Sequence, residues 1–277
     1  MRPSHAPSPS LSPSLSSPSP SPEIVTRLRA AGCVFAEDEA ALLATAARTP
    51  AHLTALVDRR VFGLPLEHVL GWAEFCGLRI AVDEGVFVPR RRTEFLVRQA
   101  LAAARSPAVV LDLCCGSGAV GAALGAALAP AELHAADLDP AAVRCARRNL
   151  APCGGHAHAG DLFTPLPSGL RGRVDLLTAN VPYVPTAAVA LLPPEARLHE
   201  PRTALDGGCD GLDVLRRLVA EAPAWLAPGG VLLAETTDPQ TPAAVALLTG
   251  HGLTPRVHTC PDLDATVVTG TAPEGAA

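Results

Sequence analysis

The sequence predicts an α/β protein with a mostly parallel sheet, and the alternation of strands with helices leads to that fold class. From about residue 108 onwards, short apolar segments alternate with helical segments, as they do in strand–helix–strand units. Hydrophobic residues make up 48% of the 277 residues but aromatic residues only 3%, so the core must be built from Leu, Val and Ala. The length is sufficient for one or two domains.

The composition excludes several kinds of chemistry. The chain contains 22 Arg and no Lys, and its 27 Asp plus Glu give a formal net charge of −5 with nine His taken as neutral. Without Lys there is no lysine Schiff base, no P-loop lysine and no lysine general base. The acidic balance also argues against stable binding of long nucleic acid, which requires a basic face.

The first 22 residues form a segment of low complexity. Residues 1–22 contain seven Pro and nine Ser and cannot bury enough apolar surface to fold, so we expect a disordered tail. Because this segment lacks an apolar core, we expect no secretory leader and a cytoplasmic protein whose eight cysteines are reduced. An uncharged stretch, residues 113–131, contains several glycines and is interpreted as a strand, a loop and a buried helix rather than a membrane span.

Residues 23–72 are expected to form a small helical domain. Ser21 and Pro22 suit the start of a helix, which ends at Gly32. Further helical segments are predicted at about 37–48, after Pro50 and at about 66–70.

Residues 73–90 are expected to form a β-hairpin that links this domain to residues 91–277. Apolar and polar residues alternate there, and turn signals lie at Asp83-Glu84-Gly85. In the rest of the chain, strands are predicted at Val109–Leu113, Glu132–Ala136, Val174–Ala179, Val231–Glu235, Thr254–Thr259 and Thr266–Thr269. Helices are predicted between them at about Ser117–Ala129, Pro140–Leu150 and Leu212–Leu226.

A glycine loop follows the first of these strands. Gly116, Gly118 and Gly121 match G-x-G-x-x-G at the junction of a strand and a helix. Glycines at such a turn let the backbone approach a ligand, and the helix N-terminus offers unpaired N–H groups. Asp137 lies 21 residues after Gly116, close to the spacing of a ribose-binding carboxylate in dinucleotide sites. A nicotinamide-dependent oxidoreductase is therefore one alternative.

Two other features favour a different ligand. Asp112 immediately precedes the loop, where a carboxylate would repel a pyrophosphate but suits a ligand with an ammonium or sulfonium charge. The strand at Val174–Ala179 continues into Asn180-Val181-Pro182-Tyr183. This motif places a carboxamide, a rigid turn and the single tyrosine of the chain at the end of the sheet where ligands bind.

Several further motifs occur in a fixed order along the chain. They are Gly71-Trp72-Ala73-Glu74-Phe75-Cys76-Gly77-Leu78, Val88-Pro89-Arg90-Arg91-Arg92-Thr93-Glu94, Asn180-Val181-Pro182-Tyr183, His199-Glu200-Pro201 and Ala204-Leu205-Asp206-Gly207-Gly208-Cys209-Asp210-Gly211-Leu212. In this order, over nearly all of residues 23–270, they resemble the HemK/PrmC-type protein-glutamine N5-methyltransferases. The resemblance implies a Rossmann-like S-adenosylmethionine-dependent methyltransferase domain at 91–277, preceded by a helical substrate-recognition domain and a hairpin linker. It also implies that the substrate is the Gln of the Gly-Gly-Gln loop in peptide-chain release factors.

The resemblance implies a cofactor site around the glycine loop. The loop resembles the first motif of S-adenosylmethionine-dependent methyltransferases, with Cys114 where a Gly usually stands, and a small side chain fits there if the backbone avoids positive φ. By the same resemblance, Asp137 would hold the ribose hydroxyls and Asp161 would contact the adenine amino group. The full set of implied cofactor-binding residues is Asp112, Cys114, Gly116, Gly118, Asp137, Leu138, Asp161, Leu162 and Asn180.

The resemblance also implies how a substrate amide is held. The Asn180 side-chain oxygen and the Val181 backbone carbonyl would accept both N–H groups of the amide, and Tyr183 would pack against its flat face. Transfer is then driven by positioning and electrostatics, so no general base is assigned. The catalytic candidates are Asn180, Val181, Pro182 and Tyr183, and the substrate-binding candidates are Arg90, Thr93, Glu94, Asn180 and Tyr183. Cys145, Cys153, His156 and His158 match no zinc spacing, so we expect no metal.

The chain departs from the family pattern at two places. N-P-P-Y is N-V-P-Y here, although Val181 still precedes Pro182 and is held extended. Arg91-Arg92 replace the Pro and Glu of P-R-P-E-T-E. Three consecutive arginines therefore predict a local positive patch beside the substrate entrance, which could also meet RNA phosphates near a release factor.

Other functions stay open at this point. A paralogue acting on another glutamine or amine, a methyltransferase acting on adenine N6 and a non-catalytic S-adenosylmethionine sensor are alternatives besides the oxidoreductase. The absence of Lys and the net charge of −5 argue against the adenine enzyme, and Asp112 together with the Asn180 motif argues against the oxidoreductase. The sequence leaves the oligomeric state undetermined.

Overall fold

The chain consists of two compact units. A computed structural model describes residues 21–105 and 108–275, and the division between the units falls between Phe62 and Gly63. The predicted tail of residues 1–22 lies outside the described residues except for its last two, and Pro22 already belongs to the first helix.

The first unit contains three helices. They are α1 (Pro22–Ala30), α2 (Ala36–Ala46) and α3 (Pro50–Val61). Leu28, Leu43 and Val57 are fully buried and form the centre of its core. The Thr49 side chain accepts a hydrogen bond from the His52 N–H and begins α3. The helices predicted for this part of the chain are confirmed.

The second unit begins with helix α4 (Leu66–Leu70) and a hairpin of β1 (Trp72–Phe75) and β2 (Leu78–Ala81). The turn of this hairpin lies at Cys76 and Gly77, which both have positive φ, at 49° and 72°. A two-residue turn with positive φ at both positions has a backbone twist that matches the twist of the two strands it joins. The expectation that the hairpin turns at Asp83-Glu84-Gly85 is wrong: within the described residues β2 pairs with β1, which precedes it, and residues 82–90 form no strand.

A seven-stranded sheet organises the rest of the second unit. Its strands are β3 (Val109–Leu113), β4 (Glu132–Asp137), β5 (His156–Ala159), β6 (Val174–Ala179), β7 (Leu226–Thr236), β8 (Thr254–Cys260) and β9 (Ala265–Thr271). They lie in the order β5-β4-β3-β6-β7-β9-β8. Strands β3 to β7 are parallel, and β9 runs antiparallel between β7 and β8. The predicted α/β fold class is confirmed.

Helices cover both faces of this sheet. They are α5 (Glu94–Ala103), α6 (Ala119–Leu128), α7 (Pro140–Leu150), α8 (Pro194–His199), α9 (Asp213–Glu221) and α10 (Thr241–Gly250). Consecutive strand residues belong to different apolar clusters: Val110 packs in the cluster that contains α5, α6 and α7, and Leu111 in the one that contains α9 and α10. Such strands are buried on both faces, which explains their largely apolar sequences.

One strand and three helices were not predicted from the sequence. Strand β5 is a four-residue edge strand of alternating His and Ala, which lacks an apolar run. Helices α5, α8 and α10 were not predicted either. None of the helices within residues 21–105 and 108–275 is long and apolar enough to cross a membrane.

Candidate active site

A cavity of about 710 Å³ opens where β3, β4 and β6 end. It collects nearly all of the residues that the sequence analysis selected. Those that line it are Arg90, Thr93, Asp112, Cys114, Gly116, Asp137, Leu138, Asp161, Leu162, Asn180, Val181, Pro182 and Tyr183. Carboxyl ends of parallel strands meet at one edge of a sheet, and side chains that follow them therefore converge.

Two of the selected residues do not line this cavity. Gly118 precedes α6 with φ 77°, and a Cβ on it would lie 2.9 Å from Cβ of Ala146, so packing against α7 requires a glycine there. The Glu94 carboxylate accepts a hydrogen bond from the Cys76 N–H (3.0 Å) and lines a second cavity. The position of Glu94 does not support its assignment to the substrate site.

Cys114 occupies the first position of the glycine loop with φ 52°. The condition under which a small side chain would fit there, a backbone without positive φ, is not met, and the left-handed conformation costs a non-glycine residue about 1–2 kcal/mol. Burial, followed by the negative charge of Asp137, raises the pKa of the Cys114 thiol far above its usual range. Cys114 therefore remains a neutral thiol and is not a nucleophile.

The Cys114→Gly substitution is expected to leave the Tm unchanged or raise it, because glycine relieves the left-handed strain that the cysteine bears. The neighbouring Cys115 is buried and has no positive φ. The same substitution at Cys115 is expected to lower the Tm, by loss of packing and greater freedom of the unfolded chain. Thermal unfolding of both variants measures the difference. A lower Tm for Cys114→Gly than for Cys115→Gly would contradict this account.

Asp112 is a buried carboxylate at the end of β3, with 1% of its surface exposed. Its Oδ2 accepts the Gly121 N–H (3.0 Å) and its Oδ1 accepts the Thr178 hydroxyl (3.0 Å). Burial raises the pKa of Asp112 to about 7, although the hydrogen bond from Thr178 acts in the opposite direction. A cation in the cavity would favour the ionised form of this group.

Asp137 ends β4 and joins that strand to the glycine loop. Its Oδ2 accepts the Gly116 N–H (2.8 Å) and its Oδ1 accepts the Asp139 N–H (2.9 Å). Burial raises the pKa of Asp137 above its usual range. The two carboxylates of Asp112 and Asp137 thus face the same cavity in an environment that disfavours their charge.

Asp161 lies after β5, and its carboxylate is already paired with an arginine. Its Oδ2 forms an ion pair with the Arg217 guanidinium of α9 (2.5 Å). Both side chains are about half exposed and both residues line the cavity. Arg217 was not predicted as a site residue, since a pair separated by 56 positions leaves no pattern in one sequence.

Asn180 follows β6 and is held by a chain of hydrogen bonds. Its Nδ2 donates to the Thr93 Oγ1 (3.3 Å), and the Thr93 hydroxyl donates to Oε2 of Glu235 at the end of β7 (2.7 Å). Within the described parts of the chain, no hydrogen bond to the Asn180 Oδ1 is found. Glu235 is only 3% exposed and was not predicted as a site residue.

Tyr183 is held by the same carboxylate. Its hydroxyl donates to Oε1 of Glu235 (3.2 Å) and accepts a hydrogen bond from the Arg92 guanidinium. Burial and the neighbouring charge of Glu235 raise the pKa of Tyr183 well above its usual range. Tyr183 is thus a neutral phenol that can pack and donate but does not act as a base.

The loop that carries Asn180 to Tyr183 rests on the segment 204–212. The Gly207 N–H donates to the Val184 carbonyl (2.8 Å), and the Val184 N–H donates to the Leu205 carbonyl (3.0 Å). The side-chain amide of Gln240 donates to the carbonyls of Tyr183 (2.9 Å) and Asp210 (3.0 Å). These bonds fix the backbone behind the site.

Comparison with known proteins agrees with this geometry. Residues 77–244 match the family model described as methyltransferase small domain. A release factor glutamine methyltransferase of Geobacter sulfurreducens is 41% identical over 199 residues, which cover 71% of this chain and 69% of the relative. That of Deinococcus radiodurans is 42% identical over 209 residues, covering 75% and 73%. The chain belongs to the release factor glutamine methyltransferase family. It is therefore a methyltransferase, and the oxidoreductase alternative is overturned.

Solved structures support the fold of this family member. A T. thermophilus 16S rRNA N2 G1207 methyltransferase, solved in complex with AdoMet and guanosine, superposes with a TM-score of 0.52 at 21% identity. The match covers 73% of this chain and 49% of that chain. At this identity the similarity concerns the fold alone.

Two of the three consecutive arginines, Arg90 and Arg92, are paired with buried glutamates. Arg90 forms two hydrogen bonds with the fully buried carboxylate of Glu200 (2.6 and 2.7 Å), which also accepts the Val88 N–H. Arg92 forms an ion pair with Glu235 (3.2 Å). Of the three, only Arg91 is without an ion pair among the described residues. The expectation of a free positive patch is wrong, because buried glutamates distant in sequence pair with two of its members.

Proposed function

We propose that this protein transfers a methyl group from S-adenosylmethionine to the side-chain amide nitrogen (N5) of a glutamine, and that this glutamine belongs to the Gly-Gly-Gln loop of a peptide-chain release factor. The names of the relatives support the release factor as substrate. The observation that carries the proposal is the Asn180 carboxamide, whose Nδ2 is bound to Thr93 while the residue borders the cavity that the glycine loop also lines.

The cavity fits S-adenosylmethionine. Its volume of about 710 Å³ lies within the usual range of small-molecule sites. In this proposal Asp137, which lines the cavity, accepts the ribose hydroxyls, and Asp112 provides negative charge for a cationic ligand. We assign Asp161 to the adenine amino group, whose N–H its carboxylate would accept while it stays paired with the Arg217 guanidinium. When bound, the cofactor supplies a sulfonium methyl group for in-line displacement.

The protein side of the reaction consists of positioning. The Asn180 Oδ1 and the Val181 carbonyl accept the two N–H groups of the substrate amide, and this favours positive charge at its nitrogen in the transition state. Tyr183 packs against the flat amide as a neutral phenol. The methylated amide loses its proton to water, and no side chain is required as a base.

The affinity for S-adenosylmethionine is expected to rise with pH between 6 and 8. Burial raises the pKa of Asp112 to about 7, so at pH 6 most of the cofactor-free protein carries a proton there. A cationic ligand binds the ionised form better and must displace this proton, which weakens binding about tenfold per pH unit below the pKa. The effect ends above pH 8, where the proton is already lost. Calorimetry at several pH values measures it.

Asp112→Asn is the control for this pH dependence. The Asn amide can accept the Gly121 N–H and donate to Thr178, so the local hydrogen bonds persist without a titrating group. We expect weaker binding with a flatter pH profile. An affinity of the unmodified protein that does not change between pH 6 and 8 would refute the role assigned to Asp112.

Methyl transfer from labelled S-adenosylmethionine to a purified release factor tests the proposed function. The control is the same release factor with the glutamine of Gly-Gly-Gln changed to Ala, and a DNA duplex containing adenine is a third acceptor. Label on the unchanged release factor alone supports the proposal. Label on both release factors shows a different position, and label only on the DNA shows an adenine methyltransferase.

A further inference from the structure

Glu235 is a buried carboxylate whose two oxygens serve three partners. Oε2 accepts the Thr93 hydroxyl (2.7 Å), while Oε1 accepts the Tyr183 hydroxyl (3.2 Å) and pairs with Arg92 (3.2 Å). The Arg92 guanidinium provides the opposite charge that a buried carboxylate requires. An ionised carboxylate can only accept hydrogen bonds. Glu235 therefore fixes the direction of both O–H groups.

The direction of the Thr93 hydroxyl determines which end of the Asn180 side chain can bind to it. A hydroxyl has one proton, and here it is given to Glu235, so the remaining partner of the Thr93 oxygen must donate. That partner is the Asn180 side chain at 3.3 Å. Only the NH2 end of a carboxamide can donate. Thr93 is 3% exposed, so water has little access to compete for its oxygen.

From this chain we propose that Glu235 is a positioning residue, which acts through Thr93 to keep the NH2 of Asn180 away from the substrate and its oxygen towards it. The inference rests on the proposed function, because an amide substrate presents N–H groups and needs an acceptor. In the opposite orientation the Asn180 NH2 would face the substrate N–H groups, and two donors repel each other. Glu235 thus determines which end of the Asn180 amide faces the substrate, in a reaction to which we assign no acid or base.

The side-chain resonances of Asn180 test the orientation without any assay of activity. In ¹⁵N-labelled protein the Asn180 NH2 pair is assigned by its loss in Asn180→Asp, with Asn149, the only other Asn, as the internal reference. Thr93→Val removes the acceptor while keeping the shape of the side chain. We expect this variant to shift the Asn180 NH2 signals and increase their exchange with water. Signals that stay at the same position would overturn the inference, whatever the protein methylates.

Turnover tests the consequence for the reaction. Thr93→Val is expected to lower kcat about tenfold, the value of one hydrogen bond, with little change in the KM for S-adenosylmethionine. Thr93→Ser keeps the hydroxyl and is expected to retain at least about a third of the rate. Glu235→Gln can offer Thr93 an NH2 in place of an acceptor, so it is expected to lower kcat as Thr93→Val does. Equal rates for the Val and Ser variants would overturn the inference.

Thr236 provides the matched control. It is next to Glu235 on β7 and is 6% exposed, and its hydroxyl has no hydrogen-bond partner among the described residues. Thr236→Val therefore makes the same chemical change without breaking the chain of bonds, and its kcat is expected to equal that of the unmodified protein. A loss equal to that of Thr93→Val would show a general packing effect and overturn the inference. An unmodified protein that fails to methylate any release factor refutes the proposed function instead, and the resonance experiment still decides the orientation.

Discussion

Replacement of Asn180 by Ala is expected to lower kcat by about a hundredfold or more while the affinity for S-adenosylmethionine stays within about threefold. The substituted protein loses the acceptor that favours charge on the substrate nitrogen, and this interaction strengthens as the transition state forms. The carboxylates of Asp112 and Asp137, which lie on other strands, keep their hydrogen bonds. Single-turnover methylation and calorimetry separate the two quantities. An unchanged kcat would refute the role of Asn180.

Two variants separate position from chemistry. Asn180→Gln keeps a carboxamide but moves its oxygen by one methylene, and since a displacement of about 1 Å can cost a hundredfold, it is expected to be nearly as slow. Asn149 bonds the backbone of Ala81 and the Ser117 carbonyl. Asn149→Ala should therefore lower the Tm while kcat at saturating cofactor is largely retained. A normal rate for Asn180→Gln would show that the site tolerates a misplaced acceptor.

The sheet could be predicted because its strands are buried on both faces. Largely apolar runs such as Val109–Leu113 and Val174–Ala179 have the bounds that the structure shows. Strand β5 has no such run, since three histidines (His134, His156 and His158) share one face of the sheet at its edge. A hydrophobic pattern cannot detect a strand whose exposed face carries polar rings.

The residues of the site that lie at strand ends could also be predicted, because a polar residue at or just after the carboxyl end of a buried strand falls at the ligand-binding edge. Asp112, Asp137 and Asn180 line the cavity for this reason. Glu235 is the second-last residue of strand β7 and carries the same signal, but it is not part of any of the motifs described above. Its partner Thr93 is 142 positions away, and a single sequence contains no trace of such a pair.

Gly211→Ala is expected to destabilise the protein by about 3 kcal/mol and to lower kcat in the molecules that remain folded. Gly211 is buried with φ 78°, and a Cβ there would overlap the Tyr183 carbonyl oxygen and Nε2 of Gln240. Overpacking costs about 1–3 kcal/mol and the left-handed conformation about 1 kcal/mol more. The clash occurs where the Gln240 amide binds the Tyr183 carbonyl. Any shift that relieves this clash must therefore move the loop that carries Asn180.

Gly85→Ala isolates the contribution of that clash. Gly85 has almost the same φ, 77°, but a Cβ there would meet nothing within 4 Å, and the residue is exposed. We expect it to cost only about 1 kcal/mol, with kcat unchanged, because it bears the backbone strain alone. Urea denaturation and turnover of both variants give the comparison. If the two substitutions cost the same, the segment 204–212 does not hold the Asn180 loop in place; if only Gly211→Ala lowers kcat, the position of the acceptors depends on that support.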